Sequence, residues 1–241
     1  MKAMIYTAGL ESRLRPEAEG LPRALMPVNG EPLLGMLIRR LADSGFAEII
    51  INVHHFATPI TEFINQMSFA GLRVEISDET DVMLDTGGGL KKVAWFFDDN
   101  RPFLIYHLDV LSDINLPDLY RSHSDSGALA TMVIRNRETS RFLLFNRKMM
   151  LCGWENRETG ERQIARPGPD DLQPFAFSRI QVVSPLIFSF IKEKGPFSLV
   201  ELYLRLAAAH LIRGYPDNES IWMDLGREDG LLEAEKLYLK N

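Results

Sequence analysis

The residues best suited to chemistry follow the first apolar segment of the chain. Residues 4–7 are predicted as a strand that runs into Gly9, and Arg13, Arg15 and Arg23 come soon after it. A glycine turn lets a ligand approach the backbone, and fixed guanidinium groups bind phosphate oxygens. The segment therefore indicates a polyphosphate site, with an ordinary surface loop as the alternative.

A second glycine-rich segment, Asp85-Thr-Gly-Gly-Gly-Leu90, precedes a helix predicted at residues 90–97. Its glycines would bring backbone N–H groups to the N-terminus of that helix, where a phosphate, a base or a sugar can pack. The alternative is a flexible loop between a strand and a helix.

Two carboxylates end apolar segments that lie far apart in the chain. Asp109 follows a predicted strand at residues 103–107, and Asp224 ends the short segment Ile221-Trp-Met-Asp224. Carboxylate oxygens are ligands that Mg²⁺ prefers, so the pair can share magnesium. As a lone residue, Asp109 could equally cap a helix.

Apolar and amphipathic segments alternate through the first half of the chain. The predicted strands are residues 4–7, 48–53, 72–77, 103–107 and 128–134, and the predicted helices are residues 33–44, 59–67, 90–97 and 116–123. This alternation is typical of an α/β fold with a doubly wound, mostly parallel sheet. In such sheets ligands bind at the carboxyl ends of the strands, which is where the glycines and Asp109 fall.

The alternation of predicted strands and helices ends after residue 134. Residues 142–145 and 150–154 flank Asn146-Arg-Lys148 and are predicted as a hairpin, followed by a loop at residues 160–174 and a strand at 175–183. Helices are predicted at residues 199–212 and 228–239.

Composition excludes several classes of protein. The 241 residues are 46% hydrophobic, which is enough for a sizeable core, and the formal charge of −6 argues against nucleic acid as a partner. The single cysteine, Cys152, excludes an internal disulfide. No segment is long and apolar enough to span a membrane, so we expect a soluble cytoplasmic protein with no membrane partner.

Five segments in this order carry a resemblance to a known family. They are Ala8-Gly-Leu-Glu-Ser-Arg-Leu-Arg-Pro16, Leu25-Met-Pro-Val-Asn-Gly-Glu-Pro-Leu33, Asp85-Thr-Gly-Gly-Gly89, Leu108-Asp-Val110 and Trp222-Met-Asp-Leu-Gly226. Together they resemble the sugar-1-phosphate nucleotidyltransferases, or NDP-sugar pyrophosphorylases. Within that family, the segments most resemble those of N-acetylmuramic acid 1-phosphate uridylyltransferases, glucose-1-phosphate thymidylyltransferases and mannose-1-phosphate guanylyltransferases.

The resemblance implies a fold and an activity. The fold is a Rossmann-like α/β nucleotidyltransferase domain spanning residues 1–241, with a mixed, mostly parallel central sheet, flanking helices and a small β-rich lobe. Residues 1–134 would bind nucleotide, and residues 135–241 would form the sugar-binding lobe and the C-terminal helices. The implied reaction joins an NTP and a sugar 1-phosphate to give an NDP-sugar, a precursor of cell-envelope polysaccharide, and pyrophosphate. The resemblance is compatible with a homo-oligomer.

The resemblance also implies roles for individual residues. It assigns catalysis to Arg13, Arg23 and Asp109, and Mg²⁺ binding to Asp109 and Asp224. It assigns nucleotide binding to Ala8, Gly9, Leu10, Glu11, Ser12, Gly87 and Gly88, and sugar binding to Gly89, Arg141 and Arg179.

Three of the departures from the family pattern bear on whether the protein is an active enzyme. Glu11 stands where glycine is common, Arg23 stands where lysine is usual, and Arg179 stands where glycine commonly lies beside the sugar. These departures favour an alternative function, in which a degenerate relative binds a nucleotide or a sugar phosphate without turnover. A dinucleotide-dependent oxidoreductase is disfavoured because no G-x-G-x-x-G follows the first strand.

Overall fold

The computed structural model describes residues 1–7, 22–54, 56–67, 71–167, 171–226 and 230–238. The expectations for Ala8, Gly9, Leu10, Glu11, Ser12, Arg13 and Arg15 lie outside these residues.

The strands and helices alternate along the described chain. The strands are β1 (Lys2–Tyr6), β2 (Pro27–Val28), β3 (Glu31–Pro32), β4 (Glu48–Val53), β5 (Arg73–Asp78), β6 (Phe103–His107), β7 (Val110–Ser112), β8 (Ala130–Arg135), β9 (Arg141–Phe145), β10 (Leu151–Asn156), β11 (Arg162–Ile164), β12 (Gln173–Val183), β13 (Ile212–Pro216) and β14 (Trp222–Asp224). The α-helices are α1 (Leu33–Asp43), α2 (Ala57–Gln66), α3 (Asp85–Lys92), α4 (Leu116–Ser126), α5 (Leu199–Ala207) and α6 (Gly230–Tyr238). Short 3-10 turns occupy Arg23–Leu25, Ala94–Phe96 and Pro185–Phe190.

The chain forms two compact units that are interleaved in sequence. Unit 1 takes the described residues of Met1–Met83, Tyr106–Asp113 and Ile221–Asn241, and unit 2 takes Leu84–Ile105 and Ile114–Ser220. The division into residues 1–134 and 135–241 that the resemblance implies stays a prediction.

Unit 1 is built on parallel strands. β1 pairs with β4, and β4 pairs with β5, all in parallel register. Apolar side chains on both faces of β1 and β4, including Met4, Ile5 and Ile50, are fully buried. Burial on both faces explains why these strands read as continuous apolar runs in the sequence.

The spacing of apolar residues explains helix α1, and a glycine explains its end. Leu34, Ile38 and Leu41 are buried and share one face at helical spacing. The helix ends where Gly45 takes a φ of +87°, a left-handed conformation that glycine adopts without steric cost.

Unit 2 contains a mixed sheet. β12 pairs antiparallel with β8 and β9, β9 with β10 and β10 with β11, while β13 lies parallel to β8. The hairpin predicted around residues 146–148 is confirmed as β9 and β10.

Most predicted elements are confirmed. The strands at residues 48–53 and 103–107 match β4 and β6 residue for residue, and the other strands of the first half shift by one or two residues. Among the described residues, the structure has no helix long and apolar enough to cross a membrane.

Two predictions in the second half were wrong. The helix predicted at residues 199–212 ends at Ala207, and Ile212 begins β13. The loop predicted at residues 160–174 contains β11 and the start of β12. Strand β13 and the start of β12 pair with the distant strands β8 and β9, which the local pattern does not reveal, whereas β11 pairs with the preceding strand β10.

Strand β12 carries a backbone irregularity at Arg179. Its pairing with β8 shifts register between Phe177 and Gln181, and Arg179 has a φ of +61°. The backbone at Arg179 thus takes the left-handed conformation that glycine adopts most easily. A non-glycine residue there costs on the order of 1 kcal/mol.

Helix α4 buries a histidine. His123 is 2% exposed, and its Nδ1 lies 2.9 Å from the hydroxyl of Thr131 in β8. Burial lowers the pKa of the His123 imidazole from 6.5 to about 4. The native protein therefore keeps this side chain neutral at pH values where the unfolded chain takes up a proton.

We expect the strain at Arg179 to be measurable in a pair of variants. Arg179→Gly should be more stable than Arg179→Ala by about 1 kcal/mol, because both lose the side chain but only glycine fits the left-handed backbone. At Arg141, on extended strand β9, the order should reverse by roughly 0.5 kcal/mol. Urea denaturation measures both differences. A glycine variant of Arg179 no more stable than its alanine partner would contradict the strain.

We expect His123 to make stability fall in acid. Above pH 6.5 both states are neutral and the effect is absent. As the pH falls from 6.5 towards 4, the unfolded chain gains a proton that the native state refuses, so the free energy of unfolding drops by up to about 3 kcal/mol. His123→Gln should flatten this part of the profile in urea titrations at several pH values. A profile unchanged by the substitution would show that His123 is not the cause.

Candidate active site

Asp109 and Asp224 come together in unit 1. Strand β14 pairs antiparallel with β7, which sets Asp224 opposite Val110, the neighbour of Asp109. The backbone N–H of Leu225 donates to the carbonyl of Asp109 at 2.7 Å. The pairing that the sequence predicted for these two strand-end carboxylates therefore has a structural basis.

Gly226 leaves space beside both carboxylates. Its N–H donates to Oδ1 of Asp224 at 2.8 Å. A Cβ at this position would lie 2.8 Å from Oδ1 of Asp224 and 3.7 Å from Oδ2 of Asp109. Both carboxylates thus approach the same side of Gly226, and any side chain there would crowd them.

Arg23 is the cation of this cluster. It lies in the 3-10 turn Arg23–Leu25 and is only 5% exposed. Burial lowers the pKa of the Arg23 guanidinium from its ordinary value, and the negative charges of Asp109 and Asp224 raise it in partial compensation. The guanidinium stays charged at any physiological pH, so it provides a fixed positive charge beside the two carboxylates.

The two carboxylates suit a hard divalent cation. Mg²⁺ is usually held by one or two carboxylates, with waters and substrate phosphates in the remaining positions. Within the part of the chain that the structure describes, no group of three or more His, Cys, Asp or Glu side chains is placed to hold a metal. A metal at Asp109 and Asp224 would therefore need further ligands from water or substrate.

The end of β1 is fixed by residues that the sequence analysis missed. The N–H of Thr7 donates to Oδ1 of Asn52 at 3.0 Å, and Nδ2 of Asn52 donates to Oε1 of Glu79 at 3.3 Å. Glu79 is only 2% exposed. A buried carboxylate next to acidic neighbours looks like a solvated turn in the sequence, and only the fold shows that it braces the strand leading to residue 8.

The helix start predicted after the glycine-rich segment of unit 2 was wrong. Helix α3 begins at Asp85, not near Leu90, so Gly87, Gly88 and Gly89 lie inside the helix and are buried. Glycine disfavours helix by about 1 kcal/mol per residue, which is why the sequence pattern placed the helix after it.

Close packing explains why α3 tolerates these glycines. The N–H of Gly87 donates to the carbonyl of Phe197 at 2.8 Å, and a Cβ on Gly87 would lie 2.1 Å from the Phe197 ring. A Cβ on Gly88 would lie 2.9 Å from the carbonyl of Gly195. The glycines therefore let the 195–197 segment approach the helix, and ligand contact at Gly87, Gly88 and Gly89 stays a prediction.

Unit 2 also contains a cavity of about 410 Å³. Aromatic and cationic side chains dominate its lining, which comprises Arg137, Thr139, Arg141, Phe142, Leu143, Trp154, Gln163, Phe177, Arg179, Ser198, Val200, Glu201 and Leu204. The structure thus brings together Arg141 and Arg179, the two arginines expected to bind sugar, and adds Arg137. A pocket with aromatic faces and guanidinium groups suits a polar, anionic organic ligand.

Comparison with known proteins identifies relatives of this chain. The sequence model of a family described as nucleotidyl transferase matches residues 2–142. N-acetylmuramate alpha-1-phosphate uridylyltransferase of Caulobacter vibrioides is 27% identical over 244 residues, covering 97% of this chain and 95% of that protein. UTP–glucose-1-phosphate uridylyltransferase of Synechocystis is 32% identical over 146 residues, covering 56% of this chain and 37% of that protein.

The fold is shared with solved structures. A UTP-bound UGPase from Acinetobacter baumannii superposes with a TM-score of 0.79 at 15% identity, covering all of this chain and 94% of that one. The predicted Rossmann-like α/β fold is thereby confirmed. From the match to more than half of its length, the chain belongs to the nucleotidyl transferase family.

Proposed function

We propose that the protein transfers a nucleotidyl group from an NTP to a sugar 1-phosphate. An oxygen of the sugar phosphate attacks the α-phosphorus of the NTP, the bond from that phosphorus to the β-phosphate oxygen breaks, and the electron pair leaves with pyrophosphate. The cluster of Asp109, Asp224 and Arg23 in unit 1 is the observation that carries the proposal.

The chemical problem in this reaction is negative charge. A phosphate anion must approach a triphosphate, and further charge develops on the departing pyrophosphate. A buried guanidinium at Arg23 is a preorganised cation, and such charges stabilise a transition state without reorganisation. Its low exposure makes the interaction stronger than it would be in water.

Asp109 and Asp224 would hold Mg²⁺, which supplies electrostatic stabilisation of phosphate oxygens when it is bound. The glycine at position 226 supports this assignment, because a Cβ there would crowd both carboxylates. Arg23 would supply a fixed positive charge beside both carboxylates.

The comparisons guide the choice of substrates. The two relatives described above are named as uridylyltransferases, so UTP is the first nucleotide to test. Both act, by name, on sugar 1-phosphates, and the cavity of unit 2 is of a size that suits a sugar. The product would be an NDP-sugar for later glycosyl transfer, such as the synthesis of cell-envelope polysaccharide, and the protein would act in the cytoplasm.

A binding role without turnover is the second candidate. It is favoured by Arg23, whose fixed charge lies beside the two carboxylates and could take the place of a metal ion. Lysine at this position would instead present a compact ammonium charge, without the planar, forked guanidinium of arginine.

We expect the carboxylates to be needed for turnover. Asp109→Asn and Asp224→Asn should each lower kcat by at least about 10²-fold, the scale of losing one electrostatic stabiliser. Pyrophosphate release from UTP with a panel of sugar 1-phosphates and Mg²⁺ measures the effect. Asp125→Asn, at an exposed position on α4, is the matched control and should leave kcat unchanged. Full Mg²⁺-dependent turnover in either site variant would remove that residue from the site.

Substitution of Arg23 separates the two candidate functions. For an active enzyme, Arg23→Ala should lower kcat/KM by about 10- to 100-fold, while Arg23→Lys keeps most of the rate and Arg121→Ala, at an exposed position, has no effect. If Arg23 instead blocks a metal site in a binding protein, wild type should lack turnover and Arg23→Lys should gain it. Circular dichroism confirms that each variant is folded. Equal kinetics for Arg23→Ala and Arg121→Ala would exclude Arg23 from the site.

A further inference from the structure

We propose that Asn52 and Glu79 are positioning residues for nucleotide binding in unit 1, and that they act through the backbone at the end of β1. They would hold that backbone in place beside the residue that precedes Asp109. The inference deepens the proposed function and rests on it, because it assigns two further buried side chains to the same nucleotide site.

Asn52 and Glu79 belong to a relay of hydrogen bonds that crosses the carboxyl ends of three parallel strands. Thr7 directly follows β1, Asn52 lies one residue before the end of β4, and Glu79 directly follows β5. The N–H of Thr7 donates to Oδ1 of Asn52 at 3.0 Å, and Nδ2 of Asn52 donates to Oε1 of Glu79 at 3.3 Å. Ligands bind at the carboxyl ends of the strands in such sheets, so the relay lies where a nucleotide is expected.

The polarity of the relay is fixed at both of its ends. A backbone N–H can only donate, and an ionised carboxylate can only accept. The amide of Asn52 must therefore turn Oδ1 to Thr7 and Nδ2 to Glu79, because the opposite orientation would leave both bonds unmade. Oγ1 of Thr7 also donates to the carbonyl of Asn52 at 2.5 Å, which adds a second bond between these two residues.

Burial makes the bonds of the relay costly to lose. Thr7 is 4% exposed, Asn52 is 1% exposed and Glu79 is 2% exposed. A buried donor or acceptor that loses its partner keeps the cost of its desolvation, because little water can reach it. The relay therefore favours one conformation of the backbone at the end of β1.

The end of β1 also contacts the segment that carries Asp109. The N–H of Leu108 donates to the carbonyl of Tyr6 at 2.9 Å, and the centroids of the Tyr6 and His107 rings lie 4.9 Å apart. Leu108 is fully buried and directly precedes Asp109. A shift at the end of β1 would therefore also move the backbone from which the Asp109 side chain projects.

A purely structural role is the competing explanation for the relay. Its bonds would then contribute to the stability of unit 1 alone, and any variant that folds would bind nucleotide as tightly as wild type. Nucleotide affinity, measured in variants that stay folded, separates the two explanations because a structural role does not change it.

Calorimetry tests the relay with Mg²⁺ and UTP, or with whichever of ATP, CTP, GTP and dTTP wild type binds most tightly if UTP does not bind. Asn52→Asp can still accept from Thr7 but turns a second carboxylate towards Glu79, so it should weaken nucleotide binding by about tenfold or more. The swapped pair, Asn52→Asp with Glu79→Gln, again sets a donor opposite an acceptor. It should recover an affinity within about threefold of wild type.

Ile49→Val is the matched control for a loss of stability alone. Ile49 lies in β4, the strand that carries Asn52, and is fully buried. The substitution removes one methylene from the core, so it should lower the free energy of unfolding and leave nucleotide affinity unchanged.

A second pair of variants tests the relay from its other end and serves if Asn52→Asp does not fold. Glu79→Met removes the acceptor for Asn52 without adding a charge, and it should weaken nucleotide binding by about tenfold. Glu79→Gln keeps an acceptor and should retain most of the affinity. Circular dichroism and urea denaturation establish that each variant is folded at the assay temperature.

Three results would overturn the proposal. They are a folded Asn52→Asp or Glu79→Met variant that binds nucleotide as tightly as wild type, an affinity that the swapped pair does not recover, and a loss of affinity in Ile49→Val as large as in the relay variants.

The binding measurement also separates this proposal from the proposed function. Absence of pyrophosphate release with every sugar 1-phosphate would defeat the proposed function. Nucleotide binding that Asn52→Asp weakens and the swapped pair recovers would in that case still support the relay, in a protein that binds nucleotide without turnover. Absence of binding of all five nucleotides to wild type would overturn the relay as a positioning device.

Discussion

The placement of two carboxylates beside one another is the constraint on which unit 1 depends. Like charges at short range repel, and at an effective dielectric constant of about 20 two unit charges 4 Å apart interact by about 4 kcal/mol. The chain offsets this repulsion with the buried guanidinium of Arg23, whose own desolvation is in turn compensated by Asp109 and Asp224. Removing Arg23 would leave the two carboxylates without this compensation. The cluster is consequently a place where folding stability and the capacity to bind phosphate or metal depend on the same residues.

In unit 2, some residues adopt a backbone conformation that is unfavourable for their type. The glycines of α3 weaken the helix intrinsically, yet they admit the Phe197 segment to a distance that no side chain would allow. At Arg179 the relation is inverted, since a bulky residue occupies a conformation suited to glycine. The first cost is recovered in packing.

The sequence was most informative where structure is decided locally. Strand β4 could be predicted to the residue because an apolar run bounded by polar residues is sufficient evidence, and Asp109 and Asp224 could be singled out because each ends such a run. The start of helix α3 and the whole of strand β13 were missed because contacts with Phe197 and β8, distant in the chain, override local preference. Burial of Glu79 and the convergence of Arg137 with Arg179 likewise depend on strand pairing. No local pattern carries that information.

Crystals grown with UTP and Mn²⁺ in place of Mg²⁺ would test the central claim, that Asp109 and Asp224 form a metal site beside Arg23. Anomalous scattering locates manganese without reference to any assumed site. The account predicts a peak at coordination distance, about 2.1 Å, from an oxygen of each carboxylate, with a phosphate oxygen of the nucleotide among the other ligands. A map with no manganese at these residues, and with the Arg23 guanidinium hydrogen-bonded to both carboxylates instead, would contradict it.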